Sequence, residues 1–251
     1  MITTKSSSIP PAARYLSAGE CAVVVEYGSI VDPVVHDRVL ALDAAVAKAA
    51  IKGVTETVPT YRSLMVHFDP LQISQAELIC RLQEIEVAST SSAAIVARSR
   101  WLIPICYEGD CAEDLVELAE KLGMSPERIV SLHSSAVFRI YMYGFAPGYI
   151  YIGGNPRELW VPRRLAPRPS VAIGAVVTGP GGQSGIYPCS LPTGFYVIGR
   201  TPERLFVLSR SPIFLVQPGD ELVVEQIDRT TFDALSKKEV EAGRTVIRRV
   251  G

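Results

Sequence analysis

Three arginines stand close together in a segment rich in proline. Arg163, Arg164 and Arg168 lie within residues 161–169, where they are the only charged side chains. A guanidinium group is planar and donates paired hydrogen bonds, so it matches the oxygens of a carboxylate or a phosphate. The segment therefore indicates anion binding, and the alternative is that these arginines pair with acidic residues of the same protein or of a partner subunit.

A glycine-rich loop is the second candidate for chemistry. Residues 179–185 read Gly-Pro-Gly-Gly-Gln-Ser-Gly, with no lysine and no helical pattern after them, so a nucleotide phosphate loop is only weakly indicated. An anion nest of backbone N–H groups and a tight turn between strands remain alternatives. Gln183 and Ser184 suit hydrogen bonding to a small polar ligand better than nucleophilic attack, because no base is evident near them in the sequence.

The three histidines differ in their surroundings. His133 ends a predicted helix just before a predicted strand, where an imidazole can act on a ligand or cap the helix carbonyls. His36 and His67 fall between the apolar positions of their elements, and we expect both at the surface. There is no acid–histidine–nucleophile signature, and the five scattered cysteines lack the paired spacing of a zinc site, so the sequence predicts no metal.

The candidate residues share an unusual region of the chain. Residues 140–199 contain 11 of the 19 glycines and 8 of the 18 prolines, and residues 169–199 carry no charge. The glycines and prolines exclude a membrane helix, because they would leave backbone groups unsatisfied in lipid. Tight loops against a β core, bringing backbone close to a ligand or partner, are the expectation.

The first ninety residues predict alternating strands and helices. Strands are expected at 21–27, 54–59, 63–68 and 95–96. One helix should begin with Asp32 as its N-cap and end near Gly53, and a second should begin at Ser74. This β-α-β-β-α-β order is that of the ferredoxin-like split unit. A small, polar stretch at 89–94 then suggests a boundary, giving domains 1–92 and 93–251.

The second domain is predicted to be mainly β. A strand at 101–107 and two helices, ending at Gly123 and near His133, precede a region of strands and turns only. The strands are expected at 137–143, 171–177, 195–198, 204–208 and 221–226. Short strands separated by glycine and proline favour a closed barrel.

Overall composition narrows the class of protein. The 251 residues carry a formal net charge of −1 and are 48% hydrophobic. This balance excludes a basic nucleic-acid-binding surface and a disordered acidic chain. With no apolar segment near the start and no paired cysteines, we expect a cytoplasmic protein with reduced thiols and no membrane partner.

Four ordered motifs carry a resemblance to a known family. They are Gly-Phe-Ala-Pro-Gly-Tyr-Ile-Tyr-Ile-Gly-Gly from residue 144, Val-Pro-Arg-Arg from 161, Gly-Gln-Ser-Gly-Ile-Tyr-Pro from 182 and Ile-Gly-Arg-Thr-Pro from 198. Together they closely resemble the KipI family, also called allophanate hydrolase subunit 1 or the B-type subunit of 5-oxoprolinase. Segments at 58–70 and 217–220 extend the resemblance over nearly the whole chain. The chain departs from the usual family pattern with Ser184 in place of threonine and Phe195 in place of tryptophan.

The resemblance implies a fold and an activity. The fold is α+β, with a small ferredoxin-like N-terminal domain followed by a cyclophilin-like β-barrel. The activity is ATP-dependent opening of the 5-oxoproline lactam to L-glutamate, with this chain inactive alone. The partners would be a KipA-type subunit and, in many cases, a LamB/YcsF-type subunit. ATP would be bound by this chain or elsewhere in the complex.

Two alternatives stay open. In a biotin-dependent urea carboxylase or urea amidolyase, the same modules form a carboxyltransferase. KipI itself is named for inhibiting a histidine kinase, which would be a binding role without catalysis.

The resemblance and the motifs together give a set of site residues. The expected catalytic residues are His133, Arg163, Gln183 and Ser184. The expected ligand-binding residues are Gly144, Phe145, Pro147, Gly148, Arg168, Gly182, Gly185, Tyr187 and Arg200.

Overall fold

The computed structural model describes residues 12–91, 98–242 and 244–250. The chain divides into two compact units, residues 1–97 and residues 98–251. The domain boundary expected after residue 92 and the strand expected at 95–96 lie outside the described residues, so both stay predictions.

The first unit, where it is described, is a four-stranded antiparallel sheet with two helices. In chain order its elements are β1 (Arg14–Ser17), β2 (Ala22–Glu26), α1 (Pro33–Ala49), β3 (Val54–Pro59), β4 (Ser63–Phe68) and α2 (Gln75–Ser91). The strand order is β1-β2-β4-β3. The sequence predicted every element from β2 to α2 and missed β1. That strand occupies the edge beside β2, where the strand after the second helix would complete a ferredoxin-like unit.

Helix α1 begins as predicted but ends earlier. The Asp32 side chain accepts a hydrogen bond of 2.7 Å from the Val34 N–H, and Pro33 takes the first helical position, where its missing N–H costs nothing. The C-cap is Ala50, in the left-handed conformation with φ of 45°. The expectation that Gly53 caps this helix is therefore wrong.

The core of the first unit lies between the sheet and the helices. It includes alternate residues of β4, namely Leu64, Val66 and Phe68. His36 is fully buried, so the expectation that it lies at the surface is wrong. Helix α1 contacts α2 as well as β3 and β4, which buries a wider face than the apolar stripe alone indicated. His67 is only partly buried, on the face of β4 opposite to the core.

The second unit contains the rest of the described chain. In chain order its elements are β5 (Arg100–Cys106), α3 (Leu115–Leu122), α4 (Pro126–Ser134), β6 (Val137–Gly144), β7 (Ala146–Gly153), β8 (Ala175–Thr178), β9 (Ser184–Ile186), β10 (Tyr196–Arg200), β11 (Glu221–Ile227), α5 (Arg229–Ala242) and β12 (Arg248–Arg249).

Seven of these strands close into the barrel that the sequence predicted. Their order is β10-β8-β9-β7-β6-β11-β5, and a pairing between Arg200 on β10 and Cys106 on β5 completes the ring. β12 pairs with β5 outside this ring. The fold is α+β, with the barrel and the separate sheet forming its two β structures.

Three local expectations for the second unit are corrected. The strand expected at 171–177 is reduced to β8, and residues 204–208 form only an isolated bridge between Phe206 and Phe214. Helix α5 was not predicted, because its sequence has little apolar periodicity; Phe232 is a buried anchor of its first turn. The signal that marks its start is Asp228, whose side chain accepts a 2.7 Å hydrogen bond from the Thr231 N–H.

The two faces of the barrel wall are both covered. Aliphatic side chains fill the interior, including Ile150 and Ile152 of β7. Because side chains alternate along a strand, Tyr149 and Tyr151 point to the other face. Tyr149 belongs there to a second buried cluster with Tyr187 and Phe195, and Tyr151 packs against it. The outer face of β7 is therefore aromatic, and with Tyr187 and Phe195 it forms the base of the site described next.

Candidate functional site

A buried carboxylate holds the proline-rich segment against the barrel. Asp114, which precedes α3, has no solvent exposure, and its Oδ1 accepts a 2.8 Å hydrogen bond from Arg164. Arg168 Nε donates to both oxygens of the same carboxylate at 3.0 Å. Asp114 Oδ2 also accepts a 2.8 Å bond from the backbone N–H of Val197 on β10. One acidic side chain thus ties two arginines of the segment to a barrel strand.

The backbone of the segment is fixed as well. The Arg164 N–H donates to the Gly194 carbonyl at 2.8 Å, and Arg168 forms an isolated bridge with Thr193. Arg168 also pairs with Glu113 at 3.0 Å, and Arg164 with Glu117 at 2.7 Å. Arg164 and Arg168 therefore fulfil the alternative left open by the sequence, which is pairing with acids of the same protein. The ligand-binding role expected for Arg168 stays a prediction that these contacts do not support.

Arg163 differs from its two neighbours. Its side chain is exposed, and it forms no ion pair with any residue that the structure describes. The guanidinium carbon lies 5.0 Å from the ring centroid of Phe195, within the range of a cation–π contact. Arg163 is thus held over an aromatic ring, and its donors remain available.

A cavity of about 320 Å³ lies beside Arg163 on the outer face of the barrel. Its wall is dominated by aromatic residues, which are Phe145, Tyr149, Tyr151, Tyr187 and Phe195. The other lining residues are Arg163, Arg164, Pro167, Pro192, Thr193 and Gly194. An apolar wall with one available cation is the usual chemistry of a small-molecule site.

The aromatic wall is ordered by edge-to-face contacts. Tyr149 packs against Tyr187 with ring centroids 4.9 Å apart and against Tyr151 at 4.8 Å, with interplanar angles of 82° and 72°. Burial raises the pKa of Tyr187 and of Tyr151, although the positive charge of Arg163 acts on both in the opposite direction. Both hydroxyls therefore stay protonated at neutral pH, and that of Tyr187 donates to the Pro192 carbonyl at 3.4 Å.

Phe145 covers one side of the cavity from the turn between β6 and β7. It is 59% exposed, and its φ of 64° places a bulky residue in the left-handed region. That conformation is costly for a side chain with a Cβ, and residues held in it cluster at ligand-binding positions. The centroid of its ring lies 5.4 Å from the ring centroid of Tyr149 and 6.3 Å from that of Tyr187. The strained turn thus presents an exposed aromatic ring to the site.

Two glycines of the expected site allow aromatic side chains to approach the backbone. A Cβ at Gly185 would lie 2.0 Å from Oη of Tyr149, and a Cβ at Gly182 would lie 2.5 Å from Nε1 of Trp160. Neither distance is tolerable, so these positions require glycine. Gly185 in particular makes room for a residue that forms the cavity wall.

Gln183 and Ser184 do not line the cavity. The glycine loop is folded on itself, because the Gly179 N–H donates to the Gln183 carbonyl at 2.9 Å and the Gln183 N–H donates to the Pro180 carbonyl at 3.1 Å. Ser184 begins β9, is fully buried and donates its hydroxyl to the Val177 carbonyl. The loop has the contacts of a tight turn, and the catalytic roles of both residues stay predictions.

His133 lies in the barrel core, away from the cavity lining. It is 1% exposed, and its Nδ1 is 2.7 Å from Oη of Tyr107. Its ring centroid is 4.7 Å from that of Phe138. Burial lowers the pKa of His133 to about 3, so the imidazole is neutral at physiological pH. The expected convergence of His133 and Arg163 on one site is not observed, and the catalytic role of His133 stays a prediction.

The remaining expected residues do not line the cavity. Gly144 ends β6 beside Phe145, and Pro147 is an exposed residue of β7. Gly148 lies against Phe206, which a Cβ would approach to 2.3 Å. Arg200 donates from Nε to the Ile173 carbonyl at 2.9 Å, so that donor is already used in the fold.

Of the expected residues, the cavity collects Phe145, Arg163 and Tyr187. Sequence reasoning missed Tyr149, Tyr151 and Phe195. The available signal was the alternation in Gly-Tyr-Ile-Tyr-Ile from residue 148, since period-two spacing puts both tyrosines on one face of a strand.

No metal site accompanies this cavity. Among residues 12–91, 98–242 and 244–250, no three His, Cys, Asp or Glu side chains are arranged to hold a metal ion. In the same residues, no helix has the length and apolar character needed to cross a bilayer.

Comparison with known proteins gives consistent relatives. Residues 13–216 match the family model described as carboxyltransferase domain, subdomain C and D. The chain is similar to the B-type subunit of 5-oxoprolinase from Bacillus subtilis (strain 168), with 31% identity over 229 residues. The match covers 88% of this chain and 95% of the relative.

Solved structures show the same likeness. The crystal structure of TTHA0988 has a TM-score of 0.71 and 30% identity, and the match covers 82% of this chain but 39% of that one. The K. lactis urea amidolyase structure has a TM-score of 0.79 over 98% of this chain and 17% of its own. At 20% identity, the latter likeness concerns the fold alone.

Proposed function

The chain belongs to the carboxyltransferase-domain family, subdomain C and D, and it is similar over most of its length to the B-type subunit of 5-oxoprolinase from Bacillus subtilis. From this we propose that it is a subunit of an ATP-dependent 5-oxoprolinase. The complex would hydrolyse the lactam of 5-oxoproline to L-glutamate. The observation that carries the proposal is the match to the Bacillus subtilis protein, which includes 95% of that relative's length.

The cavity supplies the chemistry that this chain would contribute. Opening a lactam places negative charge on the amide oxygen, and preorganised donors stabilise such charge best in a site with little water. Arg163 is a donor of this kind, set in an aromatic wall. Its proposed role is to bind and orient the substrate.

Among the residues that the structure describes, those of the aromatic cavity do not fit ATP. A triphosphate requires several cations or a cradle of free backbone N–H groups. The cavity offers one available guanidinium, and the glycine loop uses the N–H groups of Gly179 and Gln183 within itself. The ATP dependence of the proposed complex would therefore come from a site on another subunit.

The proposed partner is a KipA-type subunit, with a LamB/YcsF-type protein as a further member of the complex. The relation to TTHA0988 supports a partner, because the chain corresponds to only 39% of that longer chain. Exposed apolar side chains near the cavity, among them Phe145 and Leu165, give the partner a surface to cover.

The fold likeness to urea amidolyase supports the urea carboxylase alternative. It would make the chain part of a carboxyltransferase acting on an amide nitrogen. The two functions differ in their required reactants, since the carboxylase needs a carboxylated biotin carrier and the oxoprolinase does not.

Reconstitution tests the proposal. The chain would be purified alone and with co-expressed KipA-type and LamB/YcsF-type proteins, and L-glutamate and phosphate would be measured with 5-oxoproline and ATP. We expect turnover by the complex and none by the chain alone. Turnover by the isolated chain would contradict dependence on a partner. An inactive complex that nevertheless accepts carboxyl groups from a biotin carrier would favour the alternative.

A further inference from the structure

We propose that the aromatic cavity binds the carboxylate of a small, flat, singly charged ligand through Arg163, and that nucleotides do not enter it. This inference rests on the proposed function for the choice of 5-oxoproline as the ligand. It goes further by assigning the ligand's charged group to one side chain.

Arg163 can offer its hydrogen-bond donors to a ligand, whereas its two neighbouring arginines are already paired. Arg164 and Arg168 spend their donors on Asp114 and on neighbouring acids, with the buried carboxylate at the centre of the network. That network fixes the segment at Arg164 and Arg168, and the Arg164 N–H also bonds to the Gly194 carbonyl. Arg163 directly precedes Arg164 and is stacked on Phe195. Its guanidinium is therefore oriented before a ligand arrives.

The charged side chains of the cavity wall suit a ligand with a single carboxylate. Within the part of the chain that the structure describes, the cavity wall carries two arginines and no acidic side chain. The charge of Arg164 is already balanced by Asp114 and Glu117, at 2.8 Å and 2.7 Å. Arg163 is then the one arginine of the wall that has no ion pair among the described residues, and its guanidinium matches one carboxylate. A triphosphate would bring several negative charges to this single guanidinium.

The shape of the cavity wall suits a small, flat ligand. Tyr149 stands nearly perpendicular to Tyr151 and to Tyr187, so the rings form a cleft rather than a flat platform. The cavity volume of about 320 Å³ is near the lower end of the usual range for ligand sites, which begins at about 300 Å³. A five-membered lactam with one carboxylate has the flatness and size to enter such a cleft.

Ligand binding to the isolated chain tests the inference without requiring turnover. Ligand-detected NMR would use 5-oxoproline, 2-pyrrolidinone, which is the same ring without the carboxylate, and ATP. We expect 5-oxoproline to bind at least about 10-fold more tightly than 2-pyrrolidinone, the scale of one charge-assisted hydrogen bond. ATP should not displace 5-oxoproline.

A pair of arginine variants identifies the contact. Arg163→Met should weaken 5-oxoproline binding by about 10-fold or more and leave 2-pyrrolidinone binding unchanged. Arg157→Met is the matched control, because Arg157 is also exposed and stacked on an aromatic ring, Trp160 at 5.5 Å, but does not line the cavity. It should bind both probes as the unmodified chain does. Melting temperatures of both variants would establish that they fold.

Several results would overturn the inference. These are no binding of 5-oxoproline to the isolated chain, equal binding by Arg163→Met and the unmodified chain, and displacement of 5-oxoproline by ATP. Turnover by the reconstituted complex without such binding would leave the proposed function standing and remove this inference. Carboxylate-dependent binding through Arg163 in a chain whose complex has no oxoprolinase activity would do the reverse.

Discussion

Arg164 donates a 2.8 Å hydrogen bond from Nη1 to Oδ1 of Asp114, a carboxylate that has no contact with solvent. The two residues are 50 positions apart in the sequence, and the bond joins the start of α3 to the rim of the cavity. Because Asp114 also accepts the N–H of Val197, the same carboxylate connects the rim to barrel strand β10. The position of Arg163 over Phe195 therefore depends on a residue far from both.

Removal of this carboxylate should destabilise the barrel unit. Asp114→Ala leaves the guanidinium groups of Arg164 and Arg168 without their shared partner and the Val197 N–H without an acceptor. We expect the free energy of unfolding to fall by about 3 kcal/mol, as when one partner of a buried ion pair is deleted. Urea denaturation monitored by circular dichroism measures the loss.

Glu117→Ala is the control for the Asp114 variant. Glu117 pairs with the same Arg164 at 2.7 Å, but its side chain is 42% exposed. Its removal should therefore cost about 1 kcal/mol or less. Equal losses in the two variants would contradict the central role of Asp114.

The sequence predicted a helix boundary well where the residues that determine it are neighbours in the chain. The helix ending at Gly123 was found because a left-handed glycine terminates it, and the helix starting at Pro126 was found through its Ser125 cap. The strands β1, β7, β9 and β12 and the helix α5 were missed. Neither β1 nor α5 carries strong periodicity, whereas β7 does alternate. Barrel closure was expected from composition, but the pairing that performs it joins Cys106 to Arg200, and no local pattern contains that register.

The site was predictable only in part for a similar reason. The sequence placed three arginines together and could not tell which were paired, because their common partner Asp114 lies about fifty residues earlier. His133 looked like a ligand-facing residue at a helix end, whereas packing against Tyr107 and Phe138 buries it. These outcomes depend on tertiary contacts that spacing along the chain does not encode.

The strain at Phe145 should be measurable as a difference between two variants. Phe145→Gly and Phe145→Ala both remove the ring, but only glycine adopts the φ of 64° without a Cβ clash. We expect the glycine variant to be more stable than the alanine variant by about 1 kcal/mol. Urea denaturation of both proteins gives the difference.

Ala146 provides the control for this comparison. It is the next residue and the first of β7, and it does not have a positive φ. Ala146→Gly should therefore reduce stability, in the opposite direction, by about 0.5 to 1 kcal/mol. If Phe145→Ala proved as stable as Phe145→Gly, the left-handed turn would not be strained in solution.

The close approach of Tyr149 to Gly185 predicts a sharp effect of one methyl group. Gly185→Ala places a Cβ only 2.0 Å from Oη of Tyr149 and 3.0 Å from the Ile150 carbonyl oxygen. We expect a loss of about 2 kcal/mol from overpacking, together with displacement of the tyrosine from the cavity wall. Thermal denaturation and the near-ultraviolet circular dichroism of the tyrosines report the two effects.

Gly194→Ala is the matched change at the same cavity. A Cβ there meets Arg163 at 3.7 Å, an ordinary van der Waals distance, and Gly194 has no positive φ. This variant should keep nearly the stability of the unmodified chain. A Gly185→Ala protein with unchanged melting temperature and spectrum would show that Tyr149 can move at little cost.

His133 should make the stability of the barrel unit depend on pH in a defined window. Burial lowers its pKa from 6.5 to about 3, so the folded protein keeps it neutral where the unfolded chain protonates it. The unfolded state then binds more protons than the folded state between these two values. The contribution of His133 to the free energy of unfolding is therefore fully present above about pH 6.5. Below that pH it falls by about 1.4 kcal/mol per pH unit.

His133→Gln isolates this contribution, because glutamine does not titrate and its amide can still bond to the Tyr107 hydroxyl, which is 2.7 Å from Nδ1 in the unmodified chain. Urea denaturation of both proteins would be measured at pH 7.5, 6.5, 5.5 and 4.5. Since the carboxylates titrate equally in the two proteins, their effect cancels in the difference. The stability of the unmodified chain relative to the variant should be constant from pH 7.5 to about 6.5 and should fall by about 1.4 kcal/mol between pH 5.5 and 4.5. A difference that does not change with pH would mean that His133 can be protonated in the folded state, which its burial beside Phe138 opposes.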